Sequence, residues 1–222
     1  MSALRSTITL PISDFYLAVI GDISRSREIE NRRLFQQQLH ELMERLNRQW
    51  AAFVLSPFTV TLGDEFQAIL RRADPLFDIF NQIETALAPW HIVMGVGVGR
   101  LETELFSHTS VGMDGPCLRL ARQQVEQAKK QPPRLRFAIE ALQTEQVNYH
   151  LLLQTILVDR QTSNQKKIIA LYEQFGKQQP VAETLGISQA AVSQSLKAAH
   201  YQEVKESQQS IVAFINQFLP ER

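Results

Sequence analysis

The stretch FYLAVIGDISRS, residues 15–26, starts as an apolar run and ends with Gly21, Asp22 and a polar turn. Such a run predicts a buried strand that carries a carboxylate at its C-terminal end. The stretch FTVTLGDEFQAIL, residues 58–70, predicts a hairpin with Asp64 and Glu65 at its tip, because apolar and β-branched runs flank GDE. Antiparallel pairing of these neighbouring strands would bring the three acids together.

The flanking segments extend this core into an alternating unit. A helix is predicted from Phe35 to Leu46, where apolar residues recur at spacings of three and four. Ser56-Pro57 interrupts this pattern, and the first strand of the hairpin is expected to follow it. A second helix is predicted after Pro75, and HIVMGVGVG at 91–99 predicts a strand with glycine at every second position of its latter half. A third helix is predicted before the strand RLRFAIE at 134–140. The glycines are expected to admit a close backbone or ligand. This order of elements predicts an α+β fold, with helices segregated over a mostly antiparallel sheet.

The C-terminal part is predicted to be all-α. Strand signals vanish near Leu142, and Gln, Lys and Ala replace the Val and Phe runs. We predict two domains: an α/β domain over residues 1–159, and a helical domain with a C-terminal helix over residues 160–222.

Composition limits the function classes. Lys plus Arg equals Asp plus Glu at 23 each, so no global charge attracts the chain to nucleic acid or lipid. The single cysteine, Cys117, excludes an internal disulfide and is expected to be a buried small side chain. No signal peptide or membrane span of ~20 apolar residues is evident, so we expect a cytoplasmic protein without a membrane partner.

The predicted acid cluster favours a divalent cation. Like charges at strand ends repel unless a cation joins them, and carboxylate oxygens are ligands that Mg²⁺ or Mn²⁺ accepts. Such an ion would clamp a phosphate group. Alone, each Gly-Asp pair would more often be a turn former.

A family resemblance rests on these motifs. The pairing of AVIGDISRS with TVTLGDEFQAIL, with the aspartates 64 − 22 = 42 positions apart, resembles class III nucleotide cyclases and diguanylate (GGDEF) cyclases. The stretches MGVGVGR and GPCLRLARQQVEQAKK are similar to the cyclase glycine strand and the helix after it. With its C-terminal part, the whole chain resembles the SatD family. The resemblance implies a ferredoxin-like nucleotide-cyclase (palm) domain followed by a helix-turn-helix domain.

The resemblance also implies site residues. Asp22 and Asp64 would bind the metal, with Glu65 as a further ligand or a base beside it. The implied nucleotide contacts are the turn after the first strand and two basic residues of the third helix: Ile23, Ser24, Arg25, Ser26, Arg119 and Arg122. This chain departs from cyclases where they supply an Asn and an Arg to the transition state, because Arg119 and Gln123 stand there. Only one glycine precedes Asp64, so the diguanylate motif is incomplete. Catalytic residues therefore stay unassigned.

The stretch KIIALYEQFGKQQPVAETLGISQAAVSQSLKAA, residues 167–199, resembles a bacterial helix-turn-helix. Gly186 is expected to make the turn and Ser188 to cap the second helix of the motif. The expected DNA contacts lie on that helix, opposite its apolar side: Gln189, Ser193, Gln194 and Lys197. The predicted core of the motif comprises Ile168, Tyr172, Val181, Leu185, Ile187, Val192 and Leu196. The alternative is a packing module that binds no DNA.

The last helix ends with Phe214, Ile215 and Phe218, which predict docking onto the first domain or a homodimer contact. The leading hypothesis is a ligand-responsive DNA-binding regulator that senses a nucleotide with a divalent metal. The second is an active nucleotidyl cyclase or related enzyme whose helical part serves dimerisation or localisation. The third is a binding module that uses neither metal nor DNA.

Overall fold

The computed structural model describes residues 14–24 and 26–221. Within these ranges the α/β part contains five strands and three α-helices, with a short 3-10 helix at Ser26–Glu28. The order is β1 Phe15–Ile23, α1 Arg32–Gln49, β2 Val54–Leu62, β3 Glu65–Leu70, α2 Leu76–Ala86, β4 Ile92–Arg100, α3 Pro116–Lys130 and β5 Leu135–Ile139. The predicted order of elements and the α+β class are confirmed.

The strands form one mixed sheet in the order β2-β3-β1-β4-β5. The pairs β2–β3, β3–β1 and β1–β4 are antiparallel, and only β4–β5 is parallel. β1 is therefore central, with Gly21 opposite Phe66 on β3 and Asp22 opposite Val93 on β4. The predicted start of β2 after Ser56-Pro57 is wrong, because β2 begins at Val54 and runs through both residues with shifts in its pairing to β3.

Ser56 is a buried polar residue within β2. Its side chain is fully buried, and the hydroxyl lies 2.6 Å and 2.7 Å from the carbonyl oxygens of Phe106 and Thr109. These contacts hold the loop between β4 and α3 against the sheet. A polar side chain is tolerated inside this strand because it has those partners.

Helix α3 covers one face of the sheet. Side chains alternate along a strand, so Ala18, Ile20 and Asp22 share a face of β1, and Ala18 and Ile20 pack with α3. On β3 the same face carries Glu65, Gln67 and Ile69. The strand-end acids therefore belong to the face that α3 covers.

The glycines of β4 explain how closely α3 approaches. A Cβ atom built on Gly95 would lie 2.1 Å from the Ala121 carbonyl oxygen, and one on Gly97 would lie 2.0 Å from the Cys117 carbonyl oxygen. Helix backbone thus fills the space that the missing side chains leave. The sequence left open whether these glycines make room for a ligand or for another backbone. Gly95 and Gly97 make room for the backbone of α3. Cys117 is fully buried at this contact, as predicted.

The helical part comprises α4 Glu145–Asp159, α5 Ser163–Phe175, α6 Gln178–Leu185, α7 Gln189–Ala198 and α8 Tyr201–Asn216. Contacts divide the chain into two compact units: one ends at Thr144 and takes in the segment from Phe214 onward, and the other spans Glu145–Ala213. The division precedes the predicted boundary at residue 159, and α4 belongs to the helical unit. Within that unit, the Gln154 amide lies 2.6 Å from the Ser207 hydroxyl.

The segment after α8 belongs to the first unit. The Asn216 side chain accepts a hydrogen bond from the Ala73 amide at 2.8 Å and donates to Asp74 at 2.9 Å. Ile215 is fully buried, and Phe214 and Phe218 contact each other edge to face. These side chains therefore follow the first predicted alternative, docking onto the α/β unit. No helix in the described ranges combines the length and apolar character needed to cross a membrane.

Candidate functional site

The acidic end of the sheet contains Asp22, Asp64 and Glu65. Asp22 is the next-to-last residue of β1, Glu65 is the first of β3, and Asp64 lies in the turn between β2 and β3. All three are partly buried, and the charges of Asp64 and Glu65 act on the pKa of Asp22. The pairing of β1 with β3 thus brings the predicted acids to one end of the sheet.

Two basic side chains of α3 neutralise this acidic end. The Lys129 Nζ atom lies 2.6 Å from Asp22 Oδ2, and the Arg122 guanidinium donates to both carboxylate oxygens of Glu65, at 2.8 Å for Nη2 to Oε1. Arg122 and Lys129 are seven residues apart, two turns of helix, and so share one side of α3. Glu126, between them, lies 3.0 Å from Lys129.

The two paired acids respond differently to this environment. Burial raises the pKa of Asp22, the hydrogen bond and charge of Lys129 oppose that rise, and Asp64 and Glu65 add to it, so the net pKa lies above its ordinary value. Burial also raises the pKa of Glu65, but hydrogen bonds from Arg122 and Thr61 outweigh it and leave the pKa below its ordinary value. Ionised Glu65 is therefore well stabilised, whereas ionised Asp22 is not.

The donor set suits a hard divalent cation, because carboxylate oxygens are the ligands that Mg²⁺ and Mn²⁺ prefer. Among residues 14–24 and 26–221, however, no three His, Cys, Asp or Glu side chains are grouped so that they could hold a metal ion. Asp22 and Glu65 are held by Lys129 and Arg122 instead. A cation at Asp22 would have to replace Lys129.

The predicted nucleotide contacts are only partly assembled. The backbone amide of Ser24 donates to the His91 carbonyl at 2.8 Å, and Ile23 pairs with Ile92 in the sheet, so the Ser24 amide is not directed at a ligand. Ser26 begins the 3-10 helix, and its carbonyl accepts from Ile29. Arg25 lies outside the described residues. The expectation that the Ser24 amide binds phosphate is therefore wrong, because this amide already donates to a carbonyl within the sheet.

The two predicted arginines of α3 have separate partners. Arg119 Nη1 lies 2.9 Å from Glu102 and 3.0 Å from Asp114, in the loop before α3, whereas Arg122 reaches Glu65. Of the two, only Arg122 contacts the acidic end of the sheet. Sequence reasoning missed Lys129 as the partner of Asp22. The sequence signal that could have found this pair is the spacing of seven residues between Arg122 and Lys129. That spacing puts both basic side chains on one side of a helix that had to pack over the acids.

The helical unit carries a second candidate surface. Its core comprises Ile168, Val181, Ala182, Val192 and Leu196, with Tyr172 and Leu185 packed against it. Six of the seven predicted core residues are among these side chains. The prediction that Ile187 belongs to the core is wrong. Its side chain is 38% exposed, because Ile187 lies in the turn after Gly186 and outside both helices.

The turn between α6 and α7 has the predicted local structure. Gly186 adopts a left-handed conformation with φ of 65° and ends α6, and the Ser188 side chain accepts from the Ala191 amide at 3.1 Å to cap α7. Val192 and Leu196 are buried, which leaves the other side of α7 exposed. That side presents the predicted DNA contacts, all exposed: Gln189, Ser193, Gln194 and Lys197.

Comparison with known proteins identifies one family. The family model described as SatD family matches residues 16–210, which include all of the sheet except Phe15 and nearly all of the helical unit. No curated protein matches the chain.

Proposed function

The chain belongs to the SatD family, and on that premise we propose that it is a DNA-binding regulator whose α/β unit binds a nucleotide with Mg²⁺ or Mn²⁺. The observation that carries this proposal is the exposed polar side of α7, which follows a glycine turn and a serine cap. Within the helical unit, α5, α6 and α7 form a group of three helices with its own core. Such a unit is similar to a helix-turn-helix, in which the second helix of the motif enters the major groove.

The chemistry of the α7 surface suits DNA. Gln189 and Gln194 have amides that can pair with base edges, and Lys197 can contact a phosphate. Exposed lysines elsewhere on the unit, Lys166 and Lys167 on α5 and Lys177 before α6, supply local positive charge to a chain that is neutral overall. Local charge of this size supports moderate affinity with a clear dependence on salt.

We expect Gln194→Ala combined with Lys197→Ala to weaken DNA binding about tenfold or more, because one base contact and one phosphate contact are lost. Fluorescence anisotropy with labelled fragments, selected from a random pool by the wild type, measures the change at several salt concentrations. The melting temperature should stay within about 2 °C, since both side chains are exposed.

The matched control is Gln127→Ala with Lys130→Ala, which removes the same pair of residue types at the same spacing from α3. It should leave DNA affinity unchanged. An equal loss in this control would point to nonspecific charge. Failure of the wild type to bind any DNA at low salt would refute the DNA-binding role.

The nucleotide role is supported by the acidic end of the sheet and by its resemblance to a palm domain. The strand order β2-β3-β1-β4 is the one a ferredoxin-like unit has, with β5 added beside β4. A divalent cation bound there would neutralise the carboxylates and hold phosphate oxygens. Asp22, Asp64 and Glu65 are the proposed ligands, and binding would require Lys129 to release Asp22 and Arg122 to release Glu65. The freed Lys129 ammonium group would then be able to pair with a phosphate group.

Without metal, Asp22→Asn and Glu65→Gln should shift stability in opposite directions. The raised pKa of Asp22 means that its stabilising contribution is present below the ordinary aspartate pKa and is lost as pH rises through the raised value. Asp22→Asn should therefore be neutral or stabilising at pH 7. The lowered pKa of Glu65 means that its contribution is present above the ordinary glutamate pKa and is lost on acidification. Glu65→Gln should therefore cost about 1 kcal/mol at pH 7.

Thermal melts at pH 7 and near pH 4, with and without Mn²⁺ plus ATP or GTP, test both parts of this prediction. Mn²⁺ with a nucleotide should raise the melting temperature of the wild type, and Asp22→Asn or Asp64→Asn should abolish that rise. If Asp22→Asn destabilises the metal-free protein and keeps the metal response, the acids are structural and the nucleotide role is wrong.

A further inference from the structure

Helix α4 has exposed apolar side chains on the side away from its buried residues, Asn148, Leu151 and Gln154. Leu151 is buried on one side, whereas Tyr149, Leu153 and Ile156 are exposed on the other, at 66%, 60% and 41%. With the half-buried Leu152, these exposed side chains follow the spacing i, i+3, i+4, i+7, which defines a single stripe. We call these four residues the α4 stripe. Exposed apolar side chains that form one contiguous stripe mark an interaction surface.

The ends of the α4 stripe carry opposite charges. At about 100° of rotation per residue, Glu145 and Arg160 fall on the same side of the helix as Tyr149 and Ile156. Glu145 lies at the N-terminal end and Arg160 just beyond the C-terminal end, and both are exposed. A surface with an acid at one end, a base at the other and apolar side chains between them is complementary to a copy of itself in the antiparallel orientation.

The symmetry of this pairing fits the residue spacing. A twofold axis between Leu152 and Leu153 sets residue i opposite residue 305 − i of the second copy. Glu145 then faces Arg160 of the second copy, and Tyr149 faces Ile156 of the second copy. A parallel pairing would instead place Glu145 against Glu145, which is unfavourable. An isologous contact of this kind is the commonest way in which identical chains associate.

We propose that the α4 stripe binds a second copy of this chain in an antiparallel arrangement and so forms a homodimer. In this dimer the contact lies on α4. It does not involve Phe214, Ile215 and Phe218, which pack within the α/β unit. It does not depend on the DNA-binding role. Where that role holds, a twofold pair of α7 surfaces would engage two half-sites and offset the moderate affinity of each.

Leu153→Glu tests the surface in the full chain. Sedimentation velocity over a concentration range from below 1 µM to about 100 µM should show a dimer for the wild type. The variant should raise the dimer dissociation constant roughly 30-fold or more, the scale expected when a central apolar contact is replaced by a charge. Leu34→Glu is the matched control, because Leu34 is also a half-exposed leucine on a helix, 50% exposed on α1. It should leave the dimer intact.

Charge reversal tests the orientation. Arg160→Glu should weaken the dimer by placing two acids together, and adding Glu145→Arg to the same chain should restore it in the antiparallel arrangement. The proposal is overturned if the wild type is monomeric at 100 µM, or if Leu153→Glu keeps the dimer. A lower melting temperature for Leu153→Glu with an unchanged mass would also overturn it, since the stripe would then be covered within one chain. Failure of the double reversal to restore the dimer would overturn the antiparallel arrangement. All these masses are measured without DNA, so they are independent of the DNA-binding result.

Discussion

Gly97→Ala is expected to lower the free energy of unfolding of the α/β unit by about 3 kcal/mol or more. The added methyl group would lie 2.0 Å from the Cys117 carbonyl oxygen and 2.6 Å from the Ala121 amide nitrogen, both atoms of the α3 backbone. A helix backbone cannot rotate aside as a side chain can. Relief therefore requires α3 to move away from β4, which would open the core that Ala121 and Val125 share with the sheet.

Urea unfolding followed by circular dichroism measures this effect. Gly99→Ala is the matched control on the same strand, because there the added methyl group meets first the end of the Glu140 side chain, at 2.8 Å, and not helix backbone. That carboxylate can shift by loosening its hydrogen bonds with Arg100. We expect it to cost about 1 kcal/mol. Equal, small effects of the two substitutions would show that α3 does not pack on β4 at backbone distance.

Gly21→Ala is expected to destabilise the same unit by about 2 to 3 kcal/mol, and this cost should depend on Phe66. Gly21 lies opposite Phe66 in the β1–β3 pair, and an added Cβ would fall 2.1 Å from the Phe66 Cζ atom. The ring is fully buried and cannot turn outward. The glycine before Asp22 thus makes room for an aromatic ring of the core, on the face opposite the acids.

A double-mutant cycle isolates this contact. Phe66→Ala alone should cost about 4 kcal/mol because it leaves a cavity. Adding Gly21→Ala to that variant should cost little, because its methyl group enters the vacated space, so the two effects should fall short of additivity by about 2 kcal/mol. Phe137→Ala, on β5 two strands away from β1, is the control and should combine additively with Gly21→Ala. Additivity in the Phe66 cycle as well would show that the ring does not cover Gly21.

Local sequence signals were sufficient for the order of elements and for several details. Short apolar and β-branched runs identified the five strands, because a strand that is covered on both faces is apolar along its whole length. Helical spacing of apolar residues identified the three α-helices of the α/β unit, because burial of one side imposes that period. Gly186 and Ser188 were predictable for the same kind of reason, since a left-handed turn and an N-terminal cap depend on residues that are close in the chain. The strand-end positions of Asp22 and Glu65 also followed from local pattern.

The sequence by itself therefore determined the α+β class, the alternation of its elements, and the positions of the acids and of the α6–α7 turn. Only the tertiary structure decided which groups meet across long separations: Lys129 with Asp22, Arg122 with Glu65, and Arg119 with Asp114. It also decided that Gly95 and Gly97 accommodate the backbone of α3 and that the Ser24 amide donates to the His91 carbonyl. The exposure of the α4 stripe was likewise decided only by the tertiary structure. The physical reason is that periodicity reports which side of an element is buried but carries no information about what covers it. That depends on the path of the whole chain, which sets the distance between residues far apart in sequence.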